Sequence, residues 1–246
     1  MRVALFADIH ANREAFEACI VHAATENVER YVFLGDYVGY GADPGWVLDT
    51  VMRYVALGAI AIRGNHDDAV LNDQSGMNGL AQTAIEWTRA QLNDAQRAFL
   101  DGLPMQHVEG PRLFVHASAN EPTAWHYVAG DASVATSLAA TECRQTFCGH
   151  VHIQQIYREN ESGEIVGGSA PSDQAFPLLA KWRWVSVMGA VGQPRDENPN
   201  AAYAVLDEAE NMLTFRRVPY DIGTASAKVR AAGLPKELAL RLRMGM

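Results

Sequence analysis

The sequence predicts an α/β fold in which short buried strands alternate with helices, and three observations carry that expectation. Apolar runs of four or five residues recur early in the chain, segments with helical apolar spacing stand between them, and each run ends on a polar cluster. The first run, Val3 to Ala7, shows no alternation, as a strand buried on both faces would, and Asp8 follows it. Asn12 is placed to cap a helix reaching about Thr25, with Ala15, Phe16, Cys19, Ile20 and Ala23 on its apolar face. Tyr31 to Leu34 is the second strand, followed by a glycine-rich loop from Gly35 to Gly41 and a helix opened by Pro44. Ala59 to Ile62 is the third, with Gly64 at once behind it. Met77 to Leu100 reads as helical with a break near Asn93, and strands at Arg112 to Val115 and Thr146 to Cys148 deliver His116 and His150.

From Gln154 the character changes to β-rich segments at Gln154 to Tyr157, Glu164 to Val166, Trp184 to Met188, Ala202 to Asp207 and Met212 to Val218. These predict a second, largely antiparallel sheet. Asp221 to Met246 reads as a tail of two short helices parted at Gly233-Leu234-Pro235. Without a repeat or a linker-like shift in composition, residues 1–246 are expected to form a single domain.

Composition narrows the function. Hydrophobic residues at 48% and charged residues at 20% describe a folded globular chain. A formal net charge of −9 argues against generic nucleic-acid binding and against anionic membranes, so an anionic substrate would need a local positive centre. Three cysteines, Cys19, Cys143 and Cys148, in apolar surroundings suit a reducing compartment, and neither a signal peptide nor a membrane span is recognisable. A cytoplasmic protein is expected.

Five of the eight histidines fall at strand ends or in adjoining loops: His10, His66, His116, His150 and His152. Asp8-x-His10 and His150-x-His152 each place two donors at i, i+2 just past a strand, where both can turn to one site, and Asp36 and Asn65 stand at two further strand ends. This donor set mixes nitrogen and oxygen without thiolates, which suits manganese, iron, zinc or cobalt. Cys148, on an apolar strand, reads as inert core. Each short Asp-x-His or His-x-His motif alone is more often a turn or a solvated loop than a ligand pair. Their number and placement set them apart.

The ordered series Asp8-x-His10, Gly35-Asp36, Gly64-Asn65-His66-Asp67, His116 and Gly149-His150-x-His152 resembles the calcineurin-like metallophosphoesterase superfamily over about residues 3 to 155. The resemblance implies a four-layer α/β/β/α sandwich of two mixed sheets. It also implies that Asp8, His10, Asp36 and His152 bind one metal ion and Asp36, Asn65, His116 and His150 a second, with Asp36 bridging. Two divalent ions, two carboxylates and a bridging hydroxide would leave a centre near about +1, and such an ion pair can activate water and clamp phosphoryl oxygens for in-line attack. His66, next to Asn65, is then the natural general acid for the leaving oxygen. Asp67 reads equally as a cap for the helix that follows and as the group that orients His66 or a ligating ring.

Departures from the pattern bear on substrate. Ser/Thr protein phosphatases of the superfamily carry an acidic residue and an arginine where Gly39 and Tyr40 stand, so a phosphate-clamping arginine is missing from this motif, with Arg63 and Arg13 as candidate replacements. Ala11 replaces a glycine common after the first motif. The segment Val191-Gly192-Gln193-Pro194-Arg195-Asp196 resembles a compact prokaryotic branch, in which Gly-Ser often stands where Gly189-Ala190 does here. Small phosphodiesters are the expected substrates. Dinucleoside polyphosphate hydrolysis, protein dephosphorylation and a non-catalytic interaction module on the same fold are the alternatives. The aromatic loop Trp125-His126-Tyr127 reads either as core or as a substrate contact, and the sequence does not indicate an oligomeric state.

Overall fold

The computed structural model describes residues 1–72 and 79–246. The chain opens as strand β1 (Arg2–Phe6), helix α1 (Arg13–Thr25), strand β2 (Arg30–Phe33), helix α2 (Pro44–Ala56) and strand β3 (Ile60–Ala61), with the three strands parallel. The run at β1 lacks alternation because its two faces enter different cores. Ala4 and Phe6 pack under the helices with Phe16 and Phe33, while Val3 and Leu5 face the second sheet with Phe147 and Trp184. Asn12 caps α1, its side chain accepting from the Ala15 amide at 3.2 Å.

Helices α3 (Asn65–Leu71), α4 (Gly79–Gln91) and α5 (Asp94–Asp101) follow. The break near Asn93 is a reciprocal cap: Asn93 accepts from the Gln96 amide at 2.9 Å and Gln96 from the Asn93 amide at 3.1 Å. The beginning of the predicted helix, at Met77, lies outside the described residues. The chain then runs through β4 (Gln106–Glu109), β5 (Arg112–Val115), α6 (Asp131–Ala139), β6 (Gln145–Cys148), β7 (Gln154–Glu159), β8 (Ile165–Ser169), β9 (Ala175–Pro177), β10 (Arg183–Met188), β11 (Ala201–Asp207), β12 (Met212–Val218), α7 (Ile222–Ala231) and α8 (Lys236–Met244).

One sheet has the order β3-β2-β1-β11-β12-β9 and the other β4-β5-β6-β10-β7-β8. They face each other across a core holding Leu5, Leu206 and Phe215 from the first and Phe114, Phe147 and Met188 from the second. Helices α1 and α2 cover the outer face of the first sheet, and α6 covers that of the second. The result is the four-layer sandwich of two mixed sheets.

The late strands do not form a sheet of their own, as the sequence suggested. β11 pairs antiparallel with the edge of β1, Arg2 opposite Asp207, and β10 pairs parallel with β6. A short parallel sheet leaves open edges; β11 and β10 close them, and the other late strands add outward from these two. The sequence also passes over β4, β9 and α6. β4 and β9 are edge strands with half-exposed residues and no apolar run, and α6 is built mainly of small and β-branched residues with weak helical signal. Helices α7 and α8 pack on α4 and on Tyr40, which ties the end of the chain to the loop after β2.

That loop is anchored by Tyr37, fully buried, whose hydroxyl donates to the carbonyls of Ile62 at 2.6 Å and Phe33 at 3.1 Å. Tyr37→Phe would leave the Ile62 carbonyl unpaired in a dry core, at a cost of about 1–3 kcal/mol. Urea denaturation should show that loss as a lower midpoint. An unchanged midpoint would mean the hydroxyl does not hold the loop.

Candidate metal centre

Every candidate ligand follows a strand. Asp8 and His10 come after β1, Asp36 after β2, Asn65 after β3 in the first turn of α3, His116 directly after β5, and His150 and His152 after β6. The strand ends meet at one edge of the sandwich. Asp8, His10, Asp36, His150 and His152 all adopt left-handed φ, between 49° and 66°, which is rare for residues with a side chain. Such backbone persists where its surroundings hold it. Here the loops are laced to one another: the His10 amide donates to the Asp36 carbonyl at 2.9 Å, the Ala11 amide to the Tyr37 carbonyl at 2.8 Å, and the His150 amide to Asp8 Oδ2 at 2.9 Å. Ala11 takes φ 51°, so the position where relatives often carry glycine keeps a glycine-like backbone under strain.

The side chains form two groups that share Asp36. Asp8, His10, Asp36 and His152 make one, and Asp36, His116 and His150 the other, with the candidate donor atoms of each within 4.8 Å of one another. The hydrogen bonds of the rings fix which nitrogen faces inward. His10 Nδ1 lies 3.1 Å from the Val38 carbonyl, His116 Nδ1 2.7 Å from Leu34 and His152 Nδ1 2.6 Å from Gln193. A carbonyl only accepts, so each Nδ1 carries the proton and each Nε2 of a neutral ring is a lone pair. His10 Nε2 and His152 Nε2 then confront each other at 3.1 Å, with Asp36 Oδ2 3.6 Å from the first and Asp8 Oδ1 3.4 Å from the second. On the other side, His116 Nε2 faces Asp36 Oδ2 at 3.4 Å and Asn65 Oδ1 at 3.1 Å, and the buried Nε2 of His150 has no hydrogen-bond partner. Acceptors converging on acceptors in a dry pocket call for cations. Nitrogen and oxygen donors of this kind fit transition-metal ions.

Charge follows burial. Burial pushes the Asp8 carboxyl up to about 7, with the neighbouring Asp36 adding to it. Burial disfavours a charged His116 ring, yet Asp36 and Asp8 beside it raise its pKa to about 9. Despite its own burial, Asp36 is held well below the usual carboxylate range, chiefly by His116. His10 and His152 are lowered by burial, which keeps their rings neutral and able to ligate.

His66 borders this centre outside both groups. Its amide donates to Asp36 Oδ1 at 2.8 Å, and its ring lies between Tyr40, at 4.5 Å, and His10, at 4.7 Å. Burial lowers its pKa to about 4. Nδ1 of His66 lies without a partner against Gly39, where φ is +85° and any Cβ would collide with it. The ring therefore fills the space that a side chain at position 39 would need.

Asp67 caps the helix that follows, one of the two roles its position allows. Its carboxylate turns back across the start of α3 and accepts backbone amides, Asp36 at 2.7 Å, Tyr37 at 2.9 Å and Gly64 at 3.0 Å, with Val38 at 3.4 Å. Arg63 and Arg13 do not reach the site. Arg63 pairs with Asp68 at 3.2 Å and donates to the Asp101 carbonyl, and Arg13 pairs with Glu17 at 3.6 Å and lies over Trp46. Cys148 is buried, and burial raises its thiol to about 12, as for inert core. Ala190 is fully buried and touches no open surface.

In the aromatic loop the contacts are made by Trp125 and Tyr127. Trp125 meets the His116 ring edge-on at 5.8 Å and Tyr127 stacks on His150 at 4.2 Å, whereas His126 is exposed and pairs with Glu121 at 3.6 Å. Sequence reasoning missed two residues on the opposite flank, Gln193 and Arg195. Their only signal was the segment that resembles the compact prokaryotic branch.

Comparison with known proteins agrees with this geometry. The calcineurin-like phosphoesterase superfamily domain matches residues 1–211. An uncharacterized protein of Methanocaldococcus jannaschii is 30% identical over 249 residues, covering 99% of this chain and 98% of its own. The crystal structure of a metallophosphoesterase from Sphaerobacter thermophilus, 33% identical, superposes with a TM-score of 0.90 and covers 100% of this chain and 99% of that one. A hypothetical protein from Pyrococcus horikoshii OT3 has the same fold at 18% identity, with a TM-score of 0.81 and coverage of 100% and 98%. The chain belongs to the calcineurin-like phosphoesterase superfamily and is a metal-dependent phosphoester hydrolase.

Proposed function

We propose that Asp8, His10, Asp36 and His152 hold one metal ion and Asp36, Asn65, His116 and His150 a second, and that the protein hydrolyses small phosphate esters with them, phosphodiesters foremost. The observation that carries this reading is the shared Asp36 carboxylate between two sets of inward-facing acceptors. Manganese, iron or zinc suits the donors. When bound, such a pair lowers the pKa of water toward neutrality and neutralises phosphoryl charge.

The chain supplies the rest. Asp67 holds the backbone of residues 36–38 so that Asp36 stays aimed at both sets. His66 is the proton donor to the leaving oxygen. Its Nδ1 is closed off by Gly39, so Nε2 is the nitrogen that holds and delivers the proton. Burial, opposed by Asp36 and aided by the charges of His116 and Arg195, keeps the ring neutral, and an anionic phosphoryl group beside it favours the charged form and restores the proton when substrate is present.

Phosphodiesters are favoured because Gly39 and Tyr40 bring no positive charge to the position where protein phosphatases place their arginine. A diester has one negative charge to neutralise, whereas a phosphopeptide presents a dianion that ordinarily calls for a bidentate arginine. The whole chain acts as one domain in this reading, and its unpaired cysteines suit the cytoplasm.

Purified protein should bind roughly two transition ions, and chelation should abolish phosphoesterase activity that manganese then restores. No bound metal and no rescue would leave the interaction module as the better description. Uptake should also depend on pH. In metal-free protein, burial raises Asp8 to about 7 and the adjacent carboxylates raise His116 to about 9, so ions must displace those protons and affinity should climb from pH about 6 to 9. Calorimetry in two buffers of different ionisation enthalpy reads the released protons, and uptake without proton release would contradict the ligand set.

His66→Asn should retain metal and lose turnover by roughly 10²- to 10⁴-fold, with a smaller loss on nitrophenyl esters, whose leaving groups hardly need a proton. A metal-depleted His66→Asn protein would make His66 a ligand. For substrate, a manganese-supplemented panel of diesters, monoesters, dinucleoside polyphosphates and phosphopeptides should place small diesters first. Efficient phosphopeptide hydrolysis with diesters ignored would reverse the assignment.

A further inference from the structure

We propose that Arg195 is the guanidinium that binds the phosphoryl oxygens of the substrate at this centre. The inference rests on the phosphoesterase reading and deepens it: Arg195 lies outside the Gly39-Tyr40 motif and does not restore the clamp missing there, but its single guanidinium suits the two non-bridging oxygens and single charge of a diester.

Arg195 is rooted at the site by its backbone. The loop between β10 and β11 is stitched to the end of β1, the Val191 amide donating to the Ala7 carbonyl at 2.9 Å and the Gly192 amide to Asp8 at 2.9 Å. The same loop brackets His152: the Gln193 carbonyl takes its Nδ1 proton at 2.6 Å, and the His152 carbonyl accepts the Arg195 amide at 3.1 Å. Whatever positions His152 therefore positions Arg195.

The side chain lies beside Tyr40. Its guanidinium carbon lies 5.9 Å from the centre of the Tyr40 ring, and that ring touches both His10, at 4.6 Å, and His66, at 4.5 Å. Arg195 Nη2 lies 3.4 Å from Gln193 Oε1 and the side chain also hydrogen-bonds the Tyr40 hydroxyl, but among the described residues the guanidinium forms no ion pair. Its neighbours are committed otherwise. Asp196, next in sequence, is taken by Arg217, and Arg216 is held by Glu26 and Asp173, each at 3.0 Å. A half-buried cation without a carboxylate, in a protein of net charge −9 and beside two sets of metal-binding acceptors, is suited to an anion that arrives from solution. The planar fork matches two non-bridging phosphoryl oxygens.

An arginine that merely packs on Tyr40 would give the same picture in the free protein, so the test must read anion binding. Orthophosphate is the probe, titrated calorimetrically into manganese-loaded protein and into Arg195→Met and Arg195→Lys variants of equal metal content. Met keeps the packing stem and removes the fork; Lys keeps the charge. Arg195→Met should bind phosphate about 10- to 100-fold more weakly, as expected for loss of charge-assisted hydrogen bonds, and Arg195→Lys should recover part of the loss. Unchanged phosphate affinity in Arg195→Met would overturn the proposal. So would loss of metal from both variants, which would make the residue a support for His152. Wild-type protein that binds phosphate through Arg195 but cleaves no ester would refute the catalytic reading and leave this one standing.

Discussion

The centre depends on one buried carboxylate that touches no candidate ligand ring. Asp67 gathers the amides of Asp36, Tyr37, Val38 and Gly64, and in return Asp36 Oδ1 accepts the amide of His66. The loop after β2 and the start of α3 are thus clasped from both sides. Burial and the nearby Asp36 carboxylate push the pKa of Asp67 up, while the amides pull it down by favouring the ionised form. A side chain so costly to bury is retained where it fixes geometry. Here it fixes the direction of Asp36, on which both donor sets converge.

Backbone strain gathers at the same place. Left-handed conformations at Asp8, His10, Ala11, Asp36, His150 and His152 cost on the order of 1 kcal/mol or more each, and they turn Asp8 and His10 into one donor set and His152 and His150 into the two adjoining sets that share Asp36. In extended backbone, alternate residues would share a direction but sit too far apart to converge; the left-handed kinks bring them in. Hydrogen bonds between loops of different strands hold these conformations, so no single loop is responsible for its own shape.

The sequence made the inner strands legible because β1, β2, β5 and β6 are buried on both faces and read as apolar runs. It did not show which sheet the late strands join, since pairing depends on where an open edge lies in space and not on the strand's own pattern. The ligand candidates were legible for a related reason. Asp8, His10, Asp36, Asn65, His116, His150 and His152 each follow a strand within a few residues, so local order along the chain announces them. Asp67 was harder to read, because spacing cannot reveal that its partners are backbone amides from a loop 30 residues earlier. Arg195 was harder still: it reaches the site only through the placement of the β10–β11 loop on the end of β1.

Each donor set draws on both sheets. Asp8, His10 and Asp36 come from the first sheet and meet His152 from the second, while Asp36 from the first meets His116 and His150 from the second. An ion in either set would therefore join the two sheets across their shared edge, beyond the reach of the apolar core that Leu5, Phe147 and Phe215 form between them. His10 Nε2 and His152 Nε2 lie 3.1 Å apart, a distance that a shared cation between two lone pairs would favour. Metal binding and sheet packing are then one equilibrium, because the ion stabilises only the arrangement in which both sheets present their donors. In the proposed reading the same separation reconciles an acidic chain with an anionic ester: the net charge of −9 belongs to the whole protein, whereas the charge at a bound phosphoryl group would be set by what the clustered donors hold where the sheets meet.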